Sequence, residues 1–198
     1  MTPRGLLIAF EGLDQSGKET QAARLREQFA AAGRTVHALS FPDYDTPIGR
    51  EIRAALDGER DFAADTLQLL YVANRHEYRA SIEQWMAAGD VVVCDRYRAS
   101  SVAYGDAQGL DAEWLRDVQR HLPEPTAIFL LDIAPEEAVR RKAHGRDKFE
   151  RDLPLLSRVR ESYRTQAAAE GWEVIDGARS KEEISADILS RVTSRGWL

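Results

Sequence analysis

A single cysteine, Cys94, occurs in a chain of 198 residues, so no internal disulfide can form and nothing points to an oxidising compartment. Its setting, Val91-Val92-Val93-Cys94, reads as a buried strand thiol. Long apolar runs are also missing. None approaches the roughly 18 residues of a membrane span. The apolar stretch near the N-terminus is about five residues long and ends in Glu11, unlike a secretory signal. Positive charge is in deficit: the net charge of −6 argues against a general binder of nucleic-acid polymers, which would carry a basic face. Internal repeats and low-complexity linkers are absent too. A cytoplasmic protein of one domain, residues 1–198, is the expectation, and its 43% hydrophobic residues suffice for a sizeable core.

What is present is a rhythm. Short apolar runs predict strands at Leu6–Phe10, Thr35–Ser40, Val91–Cys94, Ala127–Asp132 and Trp172–Ile175. Helical spacing lies between them. Thr20–Ala32 puts Ala22, Leu25, Phe29 and Ala32 on one face, with Gly33 as a stop. Asp65–Ala88 reads as one helix, with Asp65 as a candidate N-cap and Gly89 closing it. Strands alternating with helices imply a doubly wound α/β fold, a five-stranded parallel sheet with helices on both faces.

The first strand runs into "EGLDQSGKETQ", residues Glu11 to Gln21. With Gly12, Gly17 and Lys18 it nearly matches the phosphate-binding pattern G-x-x-x-x-G-K-[ST]. A loop between a strand and a helix aims backbone N–H groups and the positive helix end at one point, which suits a phosphate. Gln15, Ser16 and Thr20 belong to the same candidate nucleotide-binding segment. Glu19 is the misfit, because a hydroxyl that holds Mg²⁺ normally follows the lysine. Its carboxylate is a hard oxygen ligand and could take the metal position, or it could pair with Lys18 or a later arginine instead. Thr20, turned about 100° around the helix, is a poor direct substitute.

A second charged strand end follows Val91–Cys94. Asp95 there can hold Mg²⁺ or its waters, and Arg96 can grip a phosphate with its guanidinium fork. Tyr71, Arg75 and Arg79 are four apart, so a continuous helix carries them on one face, where an aromatic ring and an arginine suit a base. Tyr44 follows the second strand's carboxyl end and faces the same crevice. The basic run containing Arg140, Arg141, Lys142, Arg146, Lys148 and Arg151 reads as a mobile lid over about 140–151, hinged near Gly145.

Together these motifs resemble the thymidylate kinase family of P-loop nucleoside monophosphate kinases, in order: E-G-L-D-x-x-G-K, F-P at Phe41, A-N-R, D-R-Y-x-x-S and a lid ending F-E. The resemblance implies transfer of the γ-phosphoryl group of ATP to the 5′-phosphate of dTMP, with Mg²⁺, in a homodimer. It places Asp14 on the sugar 3′-hydroxyl, Tyr71 against thymine and Arg75 on a base carbonyl. Arg96 falls on the acceptor phosphate, with Asp95 near the metal and Ser101 or Ser100 at the thymine edge. Tyr104 would crowd a ribose 2′-hydroxyl, and Tyr44 fits the acceptor phosphate. Gln15 stands where some members carry an arginine, so the transferring phosphate would depend on Arg146. By the same resemblance, "DGARSKEE" after Ile175 lies near the adenine. Two rivals remain: a kinase for another deoxynucleotide, and a nucleotide-binding regulator that Glu19 keeps from turning over. A GTPase switch is disfavoured, since no N-K-x-D base-reading motif occurs.

Overall fold

The apolar runs become strands because both faces of the sheet are covered. A computed structural model describes residues 4–141, 149 and 152–198. β1 (Leu6–Glu11) is buried at every position and sits between β3 (Val91–Asp95) and β4 (Ala127–Asp132). β2 (Val36–Ser40) and β5 (Glu173–Asp176) form the edges, giving an all-parallel order β2-β3-β1-β4-β5. This is the expected doubly wound α/β architecture.

Side-chain alternation divides the core. Leu6, Ile8 and Phe10 pack with Ala22, Leu25 and Phe29 of α1 (Lys18–Ala31) and with Ile184, Ile188 and Val192 of α9 (Lys181–Ser194). Leu7, Ala9, Val92 and Cys94 face the other way, onto Ile82 of α4 (Arg79–Ala88). Each fully buried Leu, Ile or Phe adds about 1.5–3 kcal/mol. A further cluster joins Ala99 and Ala103 of α5 (Arg98–Ala107) to Leu156, Val159 and Tyr163 of α8 (Leu153–Glu170). Cys94 is fully buried, and burial pushes its thiol well above the ordinary range.

Two local expectations are corrected. The single helix over Asp65–Ala88 is two, α3 (Ala64–His76) and α4, with Glu77 and Tyr78 between them. Tertiary contacts override the periodic pattern here: the Tyr78 hydroxyl donates to the Asp43 carboxylate, and its ring packs edge-on against Phe41. Asp65 is not the N-cap; Ala63 is, and Asp65 lies in the first turn, accepting from Thr66 N–H at 2.6 Å.

The remaining helices are α2 (Pro47–Leu56), α6 (Ala112–Asp117) and α7 (Pro135–Arg141). Thr46 caps α2, whose first residue is proline. Among the described residues, no helix is long and apolar enough to cross a membrane. Most of the expected lid, including Lys142, Gly145, Arg146, Lys148 and Arg151, lies outside the described residues.

Candidate active site

The connection from β1 leaves to one side of the sheet and that from β3 to the other, so their carboxyl ends border a crevice. Register brings Phe10 level with Asp95, and Glu11 follows it. The chain then turns sharply. Gly12 has φ 135°, and a Cβ there would overlap the Leu131 carbonyl oxygen of β4. Gln15 (φ 63°) and Gly17 (φ 97°) also take left-handed backbone. Such residues between a strand and a helix curl the loop so that N–H groups face inward.

Lys18 opens α1 and is buried; its Nζ donates to the Leu13 carbonyl at 2.8 Å. Burial and then the nearby Arg96 charge lower its pKa, while Asp14, Asp95 and Glu11 oppose the shift. Glu19 is exposed on the first turn and makes no ion pair with Lys18.

Arg96, also left-handed at φ 63°, anchors its own N–H on the Phe10 carbonyl at 2.9 Å. Its guanidinium donates to Asp14 at 2.7 Å, Gly12 O at 3.1 Å, Tyr163 at 3.1 Å and Ser100 at 3.2 Å. Burial works against this charge, but Asp14 beside it holds the pKa well above the ordinary arginine range. Asp14 shows the reciprocal effect: burial raises its pKa, yet Arg96 and then Lys18 hold it well below the usual carboxylate range.

Beneath them lies Glu11, fully buried. It accepts from Tyr97 N–H at 2.8 Å, Ser100 at 2.6 Å and Tyr163 at 3.0 Å. Ser100 and Tyr163 therefore bond both Glu11 and Arg96, tying the arginine to a buried carboxylate through two hydroxyls.

Next to Arg96 opens a pocket. Asp14, Phe41, Tyr44, Tyr71, Arg75, Arg96, Ser100, Ser101 and Tyr104 all line it, as do Pro42, Leu56, Gln68 and Phe149. Arg75 is 2% exposed and donates to Ser101 at 2.8 Å. Burial lowers its pKa, with Glu11 countering. The two serines thus diverge: Ser101 faces Arg75, whereas Ser100 serves Glu11 and Arg96. Arg79 is not in the pocket. It starts α4, is exposed and pairs with Glu83, because the helix breaks before it. Tyr44 stacks under the Arg53 guanidinium at 3.8 Å. Its loop is held by buried Asn74, which bonds both Asp43 backbone groups and the Thr46 hydroxyl.

A larger cleft flanks the loop, lined by Gln15, Ser16, Gly17, Lys18, Glu19, Thr20 and Asp95. Gly177, Arg179, Ser180 and Lys181, from the segment after Ile175, form its far side. Gly12 shapes the loop without lining the cleft. Asp14 borders both spaces, so they meet at one carboxylate. Asp95 Oδ1 is buried without a hydrogen-bond partner, and Glu19 borders the same cleft; both carboxylates are of the hard oxygen type that a divalent cation takes. No group of three His, Cys, Asp or Glu able to hold a metal occurs among the described residues. Arg146 lies outside them.

Comparison with known proteins decides the family. The family model described as thymidylate kinase matches residues 10–188. The chain belongs to the thymidylate kinase family. A thymidylate kinase from Dictyostelium discoideum is 36% identical over 96% of this chain and 86% of its own. A probable thymidylate kinase from Pyrococcus abyssi is 37% identical over 96% of both chains. The solved structure of a thymidylate kinase from Candida albicans superposes with a TM-score of 0.83 at 25% identity, covering 98% of this chain and 93% of that one.

On this thymidylate kinase fold, four residues at the site escaped the sequence reading of their roles. In the sequence Glu11 stands only as the first residue of the loop motif and nothing marks Tyr163; in the structure Glu11 ends β1 and Tyr163 lies in α8. Gln68 precedes the aromatic-arginine pair by one turn, a signal visible in the i, i+3, i+7 spacing with Tyr71 and Arg75. Arg141 was counted among the basic run, but it bridges the Gln15 carbonyl at 3.1 Å and the Gly177 carbonyl at 3.0 Å.

Proposed function

We propose that the protein transfers the γ-phosphoryl group of ATP to the 5′-phosphate of dTMP, giving dTDP and ADP. The observation that carries this reading is the meeting of two clefts at Asp14, one formed by a phosphate loop and the other by an aromatic wall with buried arginine. ATP takes the loop cleft, with its phosphates against the backbone of Gln15 to Thr20 and Lys18 on the β- and γ-phosphates. dTMP takes the pocket, its base between Phe41 and Tyr71, Asp14 on the 3′-hydroxyl and Tyr104 against C2′. Tyr44 and Arg96 bind its phosphate.

Transfer of this kind depends on positioning and charge stabilisation. The acceptor oxygen is already largely ionised at neutral pH, since a phosphate monoester has a second pKa of about 6, so no general base is needed. Arg96 orients that oxygen, and Lys18 and Arg146 bear the charge that grows on the transferring group. Asp95 and Glu19 would hold Mg²⁺, which neutralises charge on the donor phosphates when bound. The family resemblance also supports a homodimer and a cytoplasmic location, and the acidic net charge speaks against a nucleic-acid polymer as partner.

The test is ADP release from Mg·ATP with dTMP, dUMP, dCMP, dGMP and AMP offered separately. Fast turnover with dTMP is expected, lost on chelation of the metal. Silence across the panel with ATP still bound would overturn the kinase reading and mark Glu19 as incompatible with a working metal site.

A further inference from the structure

One wall of the acceptor pocket is a single stripe of α3. Gln68, Tyr71 and Arg75 recur at i, i+3 and i+7, and all three line the space. Gln68 is 1% exposed, yet its carboxamide oxygen has no hydrogen-bond partner among the described residues. Arg75 Nε is buried and unpartnered as well. Buried polar groups in folded chains are almost always paired, and an apolar side chain of the same shape would fill this position at lower cost. Packing does favour an unbranched chain here, since the Cγ of Gln68 runs close to Gly105. Packing does not call for an amide.

We propose that Gln68 reads the base edge of the acceptor, its carboxamide oxygen accepting the ring N3–H of a pyrimidine-2,4-dione while Arg75 donates to the adjoining carbonyl. The proposal rests on the assignment of this pocket to the acceptor nucleotide. A dione presents acceptor, donor and acceptor along its edge; a 4-aminopyrimidine presents donor, acceptor and acceptor. The fully buried unpartnered atoms of this wall are a donor, Arg75 Nε, and an acceptor, Gln68 Oε1, which complement the dione. Rotating the carboxamide would give the N3 lone pair of a 4-aminopyrimidine a donor, but Arg75 would still face an amino group. Ser101 already accepts from Arg75 Nη1 and so holds the arginine in place.

The test is Gln68→Met, which keeps length and loses the hydrogen bond. kcat/KM is measured for dTMP and for 5-methyl-dCMP, which share the methyl group, sugar and phosphate. The preference for dTMP should shrink by about 10- to 100-fold, mainly through loss of dTMP turnover, because an unmet base edge is what such a site rejects. The thermal midpoint should stay level or rise as an unpaired buried amide is removed. An unchanged preference, an equal loss on both acceptors or a lowered midpoint would each overturn the proposal and mark Gln68 as a packing residue. Wild-type protein inactive on dTMP would instead overturn the acceptor reading beneath it.

Discussion

Replacing Glu11 by alanine removes the acceptor for three buried donors at once. The Tyr97 N–H is fixed by the backbone and has nowhere to turn, a loss of about 1–3 kcal/mol. The hydroxyls of Ser100 and Tyr163 keep their mutual bond at 2.8 Å, so each loses only its stronger, charge-assisted partner. Arg96, Lys18 and Arg75 also lose a nearby negative charge inside the protein. Breaking one side of a buried charge arrangement typically costs about 3–5 kcal/mol, and the hydroxyl pair retains some of that, so about 4 kcal/mol is expected. For a chain of this size that is a fall of roughly 8–16 °C in thermal midpoint. Glu11→Gln keeps the shape and one acceptor oxygen, and the hydroxyls can rotate to accept from its NH₂, so about 1–2 kcal/mol is expected there. Urea unfolding of the three proteins, followed by circular dichroism, reads both values. An alanine variant within about 1 kcal/mol of wild type would refute the claim that this carboxylate organises the site.

Lys18→Ala and Arg96→Ala should each cut turnover by orders of magnitude in the coupled ADP assay, and near-normal rates in either would reject the assigned role. Gly12→Ala drives a Cβ into the Leu131 carbonyl, so ATP affinity by calorimetry should drop at least tenfold while the fold persists. Asn74→Ala releases the Asp43–Thr46 loop and should raise KM for dTMP about tenfold with a smaller change in kcat. The Tyr78 phenol is pushed up to about 12, first by its hydrogen bond to Asp43 and then by burial. Its neutral form is favoured in the folded chain, so the stability it adds is full below pH ~10 and drains away towards pH ~12 as the unfolded phenol ionises. Midpoints measured across that window should fall more steeply in wild type than in Tyr78→Phe.

Local chemistry that acts over a few residues was readable before the fold. Strand ends came within two residues because fully covered parallel strands are apolar throughout, and the phosphate loop announced itself by Gly12, Gly17 and Lys18. Glu11 was hidden because its partners, Ser100 and Tyr163, lie 89 and 152 residues away. Arg79 was misplaced for a related reason: periodicity continued through Tyr78, but the Asp43 and Phe41 contacts that end α3 belong to another part of the chain. The two serines could not be told apart from neighbours in sequence, since one residue step along α5, about 100°, points them at different arginines.

The Arg96–Asp14 pair is also a gatekeeper. The resting guanidinium is already held by a carboxylate of full charge, with four further oxygens around it. An entering molecule must outbid Asp14 for that grip. On the proposed function, a dianionic phosphate would do so and free Asp14 to face a sugar hydroxyl, whereas an unphosphorylated nucleoside would bring nothing that can compete. On that function, the latch would screen for cargo that has already been phosphorylated once, before any bond is made or broken.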